Sequence, residues 1–190
     1  AALFGYNADA FTQNSTAIGN GAIAGFNGPG ELSNRTGSTA IGAYTNAARG
    51  AVAIGLWYDV DRDGSLGENE RTIASNDGAV AIGAATRADG INAVAIGFRN
   101  TAASSGVGLG SLNSAATYGT AVGYDNTTAF GGSAFGLSNV SGAYGTAIGG
   151  FNDGTGALDQ TTNTLFQHQA FIQYEGRWGA LSVGRQYTIS

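Results

Sequence analysis

Short apolar phrases recur along this chain at a fixed interval, and each is closed by a glycine. Between Gly97 and Gly149 the closing glycines are Gly97, Gly110, Gly123, Gly136 and Gly149, four successive steps of 13 residues. The phrases read Val94-Ala95-Ile96, Val107-Gly108-Leu109, Thr120-Ala121-Val122, Ser133-Ala134-Phe135 and Thr146-Ala147-Ile148. On a strand, neighbouring side chains point to opposite faces. Each phrase therefore carries one face of mostly bulky residues and one of alanine or glycine. A strand that is apolar on both faces is covered on both faces. An asparagine follows three positions after each glycine, at Asn100, Asn113, Asn126, Asn139 and Asn152. Branched apolar residues and turn residues held in register over a short period predict a parallel β-solenoid, with two short strands and two turns in each coil.

Two consequences follow from the doubled apolar pattern. One face must fill the coil, and either would serve. The other needs an outside cover, which sister chains supply most simply because identical coils offer identical stripes. The asparagine column has two structural readings. Asparagine tolerates a left-handed turn and bonds its own backbone; alternatively, stacked asparagines form a buried amide ladder.

Upstream, the period is interrupted. Residues 1–14 form a lead-in coil, and the first clean phrase is Ser15-Thr16-Ala17-Ile18-Gly19. It returns at Ser38-Thr39-Ala40-Ile41-Gly42 after 23 residues, which places an insertion at about 26–35 around the Asn27-Gly28-Pro29-Gly30 turn. Gly55 follows 13 residues later, but Gly83 comes 28 residues after that, so a second insertion occupies about 56–77. The roll spans 1–152. Composition then shifts: Asp153-Gly154-Thr155-Gly156 begins a linker, and the remainder of 153–190 predicts an antiparallel β-hairpin. In its first strand Phe166, His168, Ala170, Ile172 and Tyr174 alternate with glutamines, and a turn around Glu175 leads into the second.

The second insertion carries candidate chemistry. Asp59-Val60-Asp61-Arg62-Asp63-Gly64-Ser65-Leu66-Gly67-Glu68-Asn69-Glu70 fits the twelve-residue calcium-loop pattern. Asp59, Asp61, Asp63 and Glu70 supply carboxylates, Ser65 a carbonyl, Gly67 a water-mediated position, and Gly64 the sharp turn. Clustered carboxylates repel one another unless a cation neutralises them. Calcium is thus the expected cofactor, ordering a loop outside the roll. No helix-like pattern flanks the loop, so a sensor hand is not expected. Trp57 and Tyr58 are expected to pack its base.

Composition narrows the function. All 8 basic residues are arginine, 13 acids give a net charge of −5, and no basic cluster suits nucleic acid. With 1 histidine and no cysteine, neither a histidine-based nucleophile pair nor a His/Cys zinc site can be assembled, and no enzyme activity is expected. No apolar run is long enough for a transmembrane helix. The start at Ala1 has no signal-peptide pattern, so an exported protein would be seen here in processed form.

The phrases Ser-Thr-Ala-Ile-Gly at 15–19 and 38–42, Ala-Val-Ala-Ile-Gly at 51–55, 79–83 and 93–97, Gly-Thr-Ala-Val-Gly at 119–123 and Gly-Thr-Ala-Ile-Gly at 145–149 resemble the head repeats of trimeric autotransporter adhesins, the YadA-like family. The likeness covers about 11–152, with a period slightly shorter than the family's usual one. It implies a left-handed parallel β-roll, a homotrimer, and display at the cell surface or outer membrane of a Gram-negative bacterium. The implied role is adhesion to a surface or an extracellular-matrix ligand. Residues 156–190, with Gly156-Ala157-Leu158-Asp159, Leu165-Phe166 and Gly184-Arg185-Gln186-Tyr187, resemble an early hairpin of Gram-negative trimeric porins. That likeness gives an alternative: a structural surface-layer or porin-associated outer-membrane module, pore-forming if the chain continues.

Overall fold

The computed structural model describes residues 1–26, 37–151, 170–176 and 179–185. Ten strands stack into one parallel sheet: Ala2–Phe4, Thr16–Ile18, Thr39–Ile41, Val52–Leu56, Val80–Ala84, Val94–Phe98, Val107–Ser111, Thr120–Tyr124, Ser133–Leu137 and Thr146–Gly150. Nine shorter strands form the second sheet, from Asp9–Ala10 and Ile23–Phe26 through Asn46–Ala48, Ile73–Ala74, Arg87–Ala88, Thr101–Ala102, Ser114–Ala115 and Thr127–Thr128 to Val140–Ser141. Strands of the two sheets alternate along the chain, one of each per coil up to the last strand, Thr146–Gly150. This is the parallel β-solenoid that the spacing predicts.

Register follows the repeat. Val94 pairs with Val107, Val107 with Thr120, Thr120 with Ser133 and Ser133 with Thr146. The first coil begins at Ala2, where Leu3 pairs with Ala17 and Phe4 with Ile18. The lead-in is therefore a rung in its own right, although Leu3-Phe4-Gly5 departs from the usual phrase.

Which face fills the coil is settled by side-chain size. Ala17, Ala40, Ala53, Ala81, Ala95, Ala121, Ala134 and Ala147 are fully buried. The branched residues point outward: Ile96 is 37% exposed, Phe135 37% and Ile148 66%. Two sheets joined by tight turns leave space between them for little more than a methyl group. The closing glycines are crowded by the backbone of the next coil instead. A Cβ on Gly110, whose φ is +114°, would overlap the carbonyl oxygen of Gly123 in the next coil.

The asparagines decide between their two readings. The left-handed turn residues are Arg99, Leu112, Asp125 and Ser138, each immediately before an asparagine. Asn100, Asn113, Asn126 and Asn139 are buried and form the ladder. Asn113 Nδ2 donates to Asn100 Oδ1 at 3.2 Å, to Leu109 O at 2.9 Å and to Gly123 O at 2.8 Å. Asn113 Oδ1 accepts from both the backbone and side-chain nitrogens of Asn126, each at 3.0 Å. The column continues upstream with buried threonines: Thr72 Oγ1 donates to Gly83 O at 2.7 Å and Thr86 Oγ1 to Gly97 O at 2.9 Å. Thr45 occupies the equivalent place three residues after Gly42. From Thr72 to Asn139, each polar side chain of the column thus caps the closing-glycine carbonyl of the next coil, while Thr45 Oγ1 donates to Gly42 O of its own coil.

Ala170–Gly176 and Gly179–Arg185 pair antiparallel, with Ala170 opposite Arg185 and Gly176 opposite Gly179. The expected insertion core at 27–35, Asn152, the linker with His168, and the Gln186-Tyr187 ending lie outside the described residues.

Candidate functional site

Two surfaces stand out on this scaffold: the loop between Leu56 and Ile73, and the outer side of the roll. The loop leaves the long sheet at Leu56 and is closed at its base by Tyr58 N donating to Glu70 O at 2.8 Å. Trp57 and Tyr58 seat it. The Tyr58 ring meets Phe98 edge-on at 4.9 Å, and Trp57 meets Tyr44 at 6.3 Å. Arg87 Nη1 donates to Glu68 O at 3.2 Å, tying the far side of the loop to the short-strand sheet. No α-helix flanks it; a single 3-10 turn spans Glu68–Glu70.

Within the loop, Asp59, Asp61 and Asp63 each present a carboxylate oxygen within 4.8 Å of the others. Backbone amides hold them in place. Gly64 N donates to Asp59 Oδ2 at 3.1 Å, Asp63 N to Asp61 Oδ1 at 3.2 Å, and Ser65 N to Asp63 Oδ1 at 2.6 Å. The turn that permits this has Arg62 at φ +61° and Gly64 at φ +74°. Asp59 Oδ1 is buried without a hydrogen-bond donor. An orphaned carboxylate oxygen beside two other carboxylates is unfavourable in a metal-free loop and is what a hard cation would use.

Glu70 lies in the loop but outside that trio. Its side chain is buried and its oxygens accept from Val60 N at 2.6 Å, Asp61 N at 3.5 Å and Gly67 N at 2.7 Å. Those amide bonds, from Gly67 first and then Val60, hold its carboxyl below the ordinary glutamate range. Asp61 goes the other way. The bond from Asp63 N lowers its pKa, but desolvation and the charges of Asp63, Glu70 and Asp59 outweigh it, and the net shift is upward. Ser65 and Gly67 are placed on the loop through the amide bonds they donate to Asp63 and Glu70.

The outer side of the roll has two characters. The long-strand sheet presents the bulky apolar residues. The short-strand sheet presents Thr101, Ser114 and Thr127 above buried Ala102, Ala115 and Thr128, and ends on the exposed Val140. At the turn that follows the short strands, Tyr118, Phe130 and Tyr144 form an exposed ring column. Tyr118 and Tyr144 share one repeat position two periods apart, but the coil between them has Gly131 there and supplies Phe130 from the position before, so the spacing does not mark the column.

The YadA head domain repeat matches the chain twice, over residues 4–22 and 74–100. No curated protein and no solved structure matches. The first match covers the lead-in rung, and the second runs from the buried Ala74 to Asn100, the first asparagine of the ladder. These two stretches are similar to the YadA head domain repeat, the repeat found in the heads of trimeric autotransporter adhesins.

Proposed function

We propose that this chain is the head of a homotrimeric adhesin displayed on the surface of a Gram-negative bacterium, attaching it to another surface or to host matrix without catalysis. The observation that carries the reading is the outward apolar stripe of the long-strand sheet. Ile18, Ile96, Phe135 and Ile148 are each more than a third exposed in the single chain and line up coil upon coil. A continuous apolar stripe of this length on a lone chain marks an interface. Three copies around an axis would bury it, in keeping with the trimeric character of proteins with these heads. The test is attachment of the purified trimer to matrix-coated and cell surfaces. Binding that saturates supports the adhesin, whereas ordered two-dimensional arrays without attachment would favour a surface-layer role.

Calcium is part of this reading. Asp59, Asp61 and Asp63 would hold it, with Glu70 closing the loop around it. The ion supplies the positive charge that three neighbouring carboxylates lack. Its role is to order 56–77 on the side of the roll.

A further inference from the structure

Tyr118, Phe130 and Tyr144 are 62%, 44% and 65% exposed, and they are not scattered. Phe130 meets Tyr118 edge-on at 5.4 Å and Tyr144 at 5.5 Å, so the three rings form one column along the stack. The column is held from beneath. Gly131 takes a left-handed φ of +64°, and a Cβ there would come within 3.0 Å of Tyr144 Cδ1. The Tyr144 ring therefore rests against bare backbone and turns its opposite side to solvent. These rings are fixed before any ligand arrives, which lowers the entropy cost of binding.

The surroundings specify the chemistry. From Asn100 to Phe151 Asp125 is the only charged residue, and it follows the long strand, at the other turn of its coil. On the short-strand sheet, the outward residues of the same coils are Ser114, Thr127 and Val140, two hydroxyls and one apolar side chain. Sulfated glycans, nucleic acids and charged peptides find no counter-charge here. A neutral sugar chain does find its complement: apolar C–H faces for the rings and hydroxyls for hydroxyls. Phe130 stands nearly perpendicular to both tyrosines, at 82° and 74°, so it braces two tyrosine rings that lie two coils apart.

We propose that the Tyr118 and Tyr144 rings, braced by Phe130 between them, are stacking faces for a neutral oligosaccharide. This rests on the attachment role proposed above and names its ligand class. Ligand binding would be followed by calorimetry, using the whole chain and cellohexaose, chitohexaose and maltohexaose, with a heparin hexasaccharide as the charged comparison. At least one neutral hexasaccharide should bind and the heparin fragment should not. Tyr118→Ala and Tyr144→Ala should each weaken binding roughly tenfold. Tyr144→Trp should retain it, and Tyr6→Ala, at an exposed tyrosine on the first coil, should leave it unchanged. Native mass of each variant guards against a lost assembly; if an alanine variant dissociates, Tyr144→Trp and Gly131→Ala, which displaces the ring, decide. Failure of all three neutral sugars, preference for heparin, or indifference to the tyrosines would overturn the stacking site. If surface attachment persists unchanged in Tyr118→Ala and Tyr144→Ala, the adhesin stands and only the sugar site falls; if the native chain attaches to nothing, both fall. Self-association that Tyr144→Ala abolishes would assign the column to a second copy instead.

Discussion

Asn113 offers the sharpest test of how the roll is held together. Its side chain makes five hydrogen bonds, to Asn100, Leu109 and Gly123 and from two nitrogens of Asn126. Asn113→Ala removes all five and leaves the buried Asn126 N–H without its acceptor. An orphaned buried donor costs about 1–3 kcal/mol and each lost bond a net of about 0.5–1.5 kcal/mol, so with overlap the total is about 3–6 kcal/mol. Asn113→Thr should cost roughly half of that. Its hydroxyl can donate to Gly123 O as Thr72 and Thr86 donate to the glycine carbonyls of the next coil, Gly83 and Gly97. Asn113→Val keeps the shape of threonine without the hydroxyl and should resemble alanine. Denaturant unfolding gives the order, and hydrogen exchange at the Asn126 amide locates the damage. A loss below about 1 kcal/mol for alanine, or equal stability of the valine and threonine variants, would refute the argument, since neither fits a buried unpaired amide.

Three further outcomes follow. Ile96→Asp sets an unpaired charge in the outward stripe and should abolish assembly, at a cost of several kcal/mol; native mass reads it directly, and an unchanged oligomer would place the interface elsewhere. Chelation of calcium should raise proteolysis and hydrogen exchange within 56–77 while the roll keeps its melting temperature; a global melt would mean that the loop carries the fold. Acid should act through Glu70. Because its folded pKa is lowered, its stabilising effect is present above the unfolded pKa and is lost as pH falls through the folded one. Asp61, shifted upward, has the opposite sign: ionised it opposes the closed loop, and protonation relieves that repulsion. The loop should therefore open at a pH below the ordinary glutamate range, and Glu70→Gln should remove that transition. Limited proteolysis across pH checks it, with opening at neutral pH as the contrary result.

The coil period was legible because backbone stacking forces identical environments onto residues 13 apart, and Gly97 through Gly149 repeat it without interruption. The inward face was not legible. Alternation distinguishes two faces but not inside from outside when both are apolar, and only the narrow space between the sheets selects Ala95 over Ile96. The threonine part of the ladder was hidden for a different reason. Thr72 lies 17 residues after Gly55 because the loop intervenes, and Thr45 and Thr86 read as ordinary turn residues. In the loop, spacing alone brought Asp59, Asp61 and Asp63 together. It could not tell that Glu70 spends its oxygens on backbone amides, because those contacts depend on how the chain folds back at Gly67. The ring column escaped for a similar reason: Phe130 and Tyr144 meet only because Gly131 makes room.

Native mass spectrometry of the whole chain, with and without calcium, tests the central claim most directly. The outward stripe of branched residues predicts a mass of three chains in both conditions. A stable, soluble single chain would contradict it.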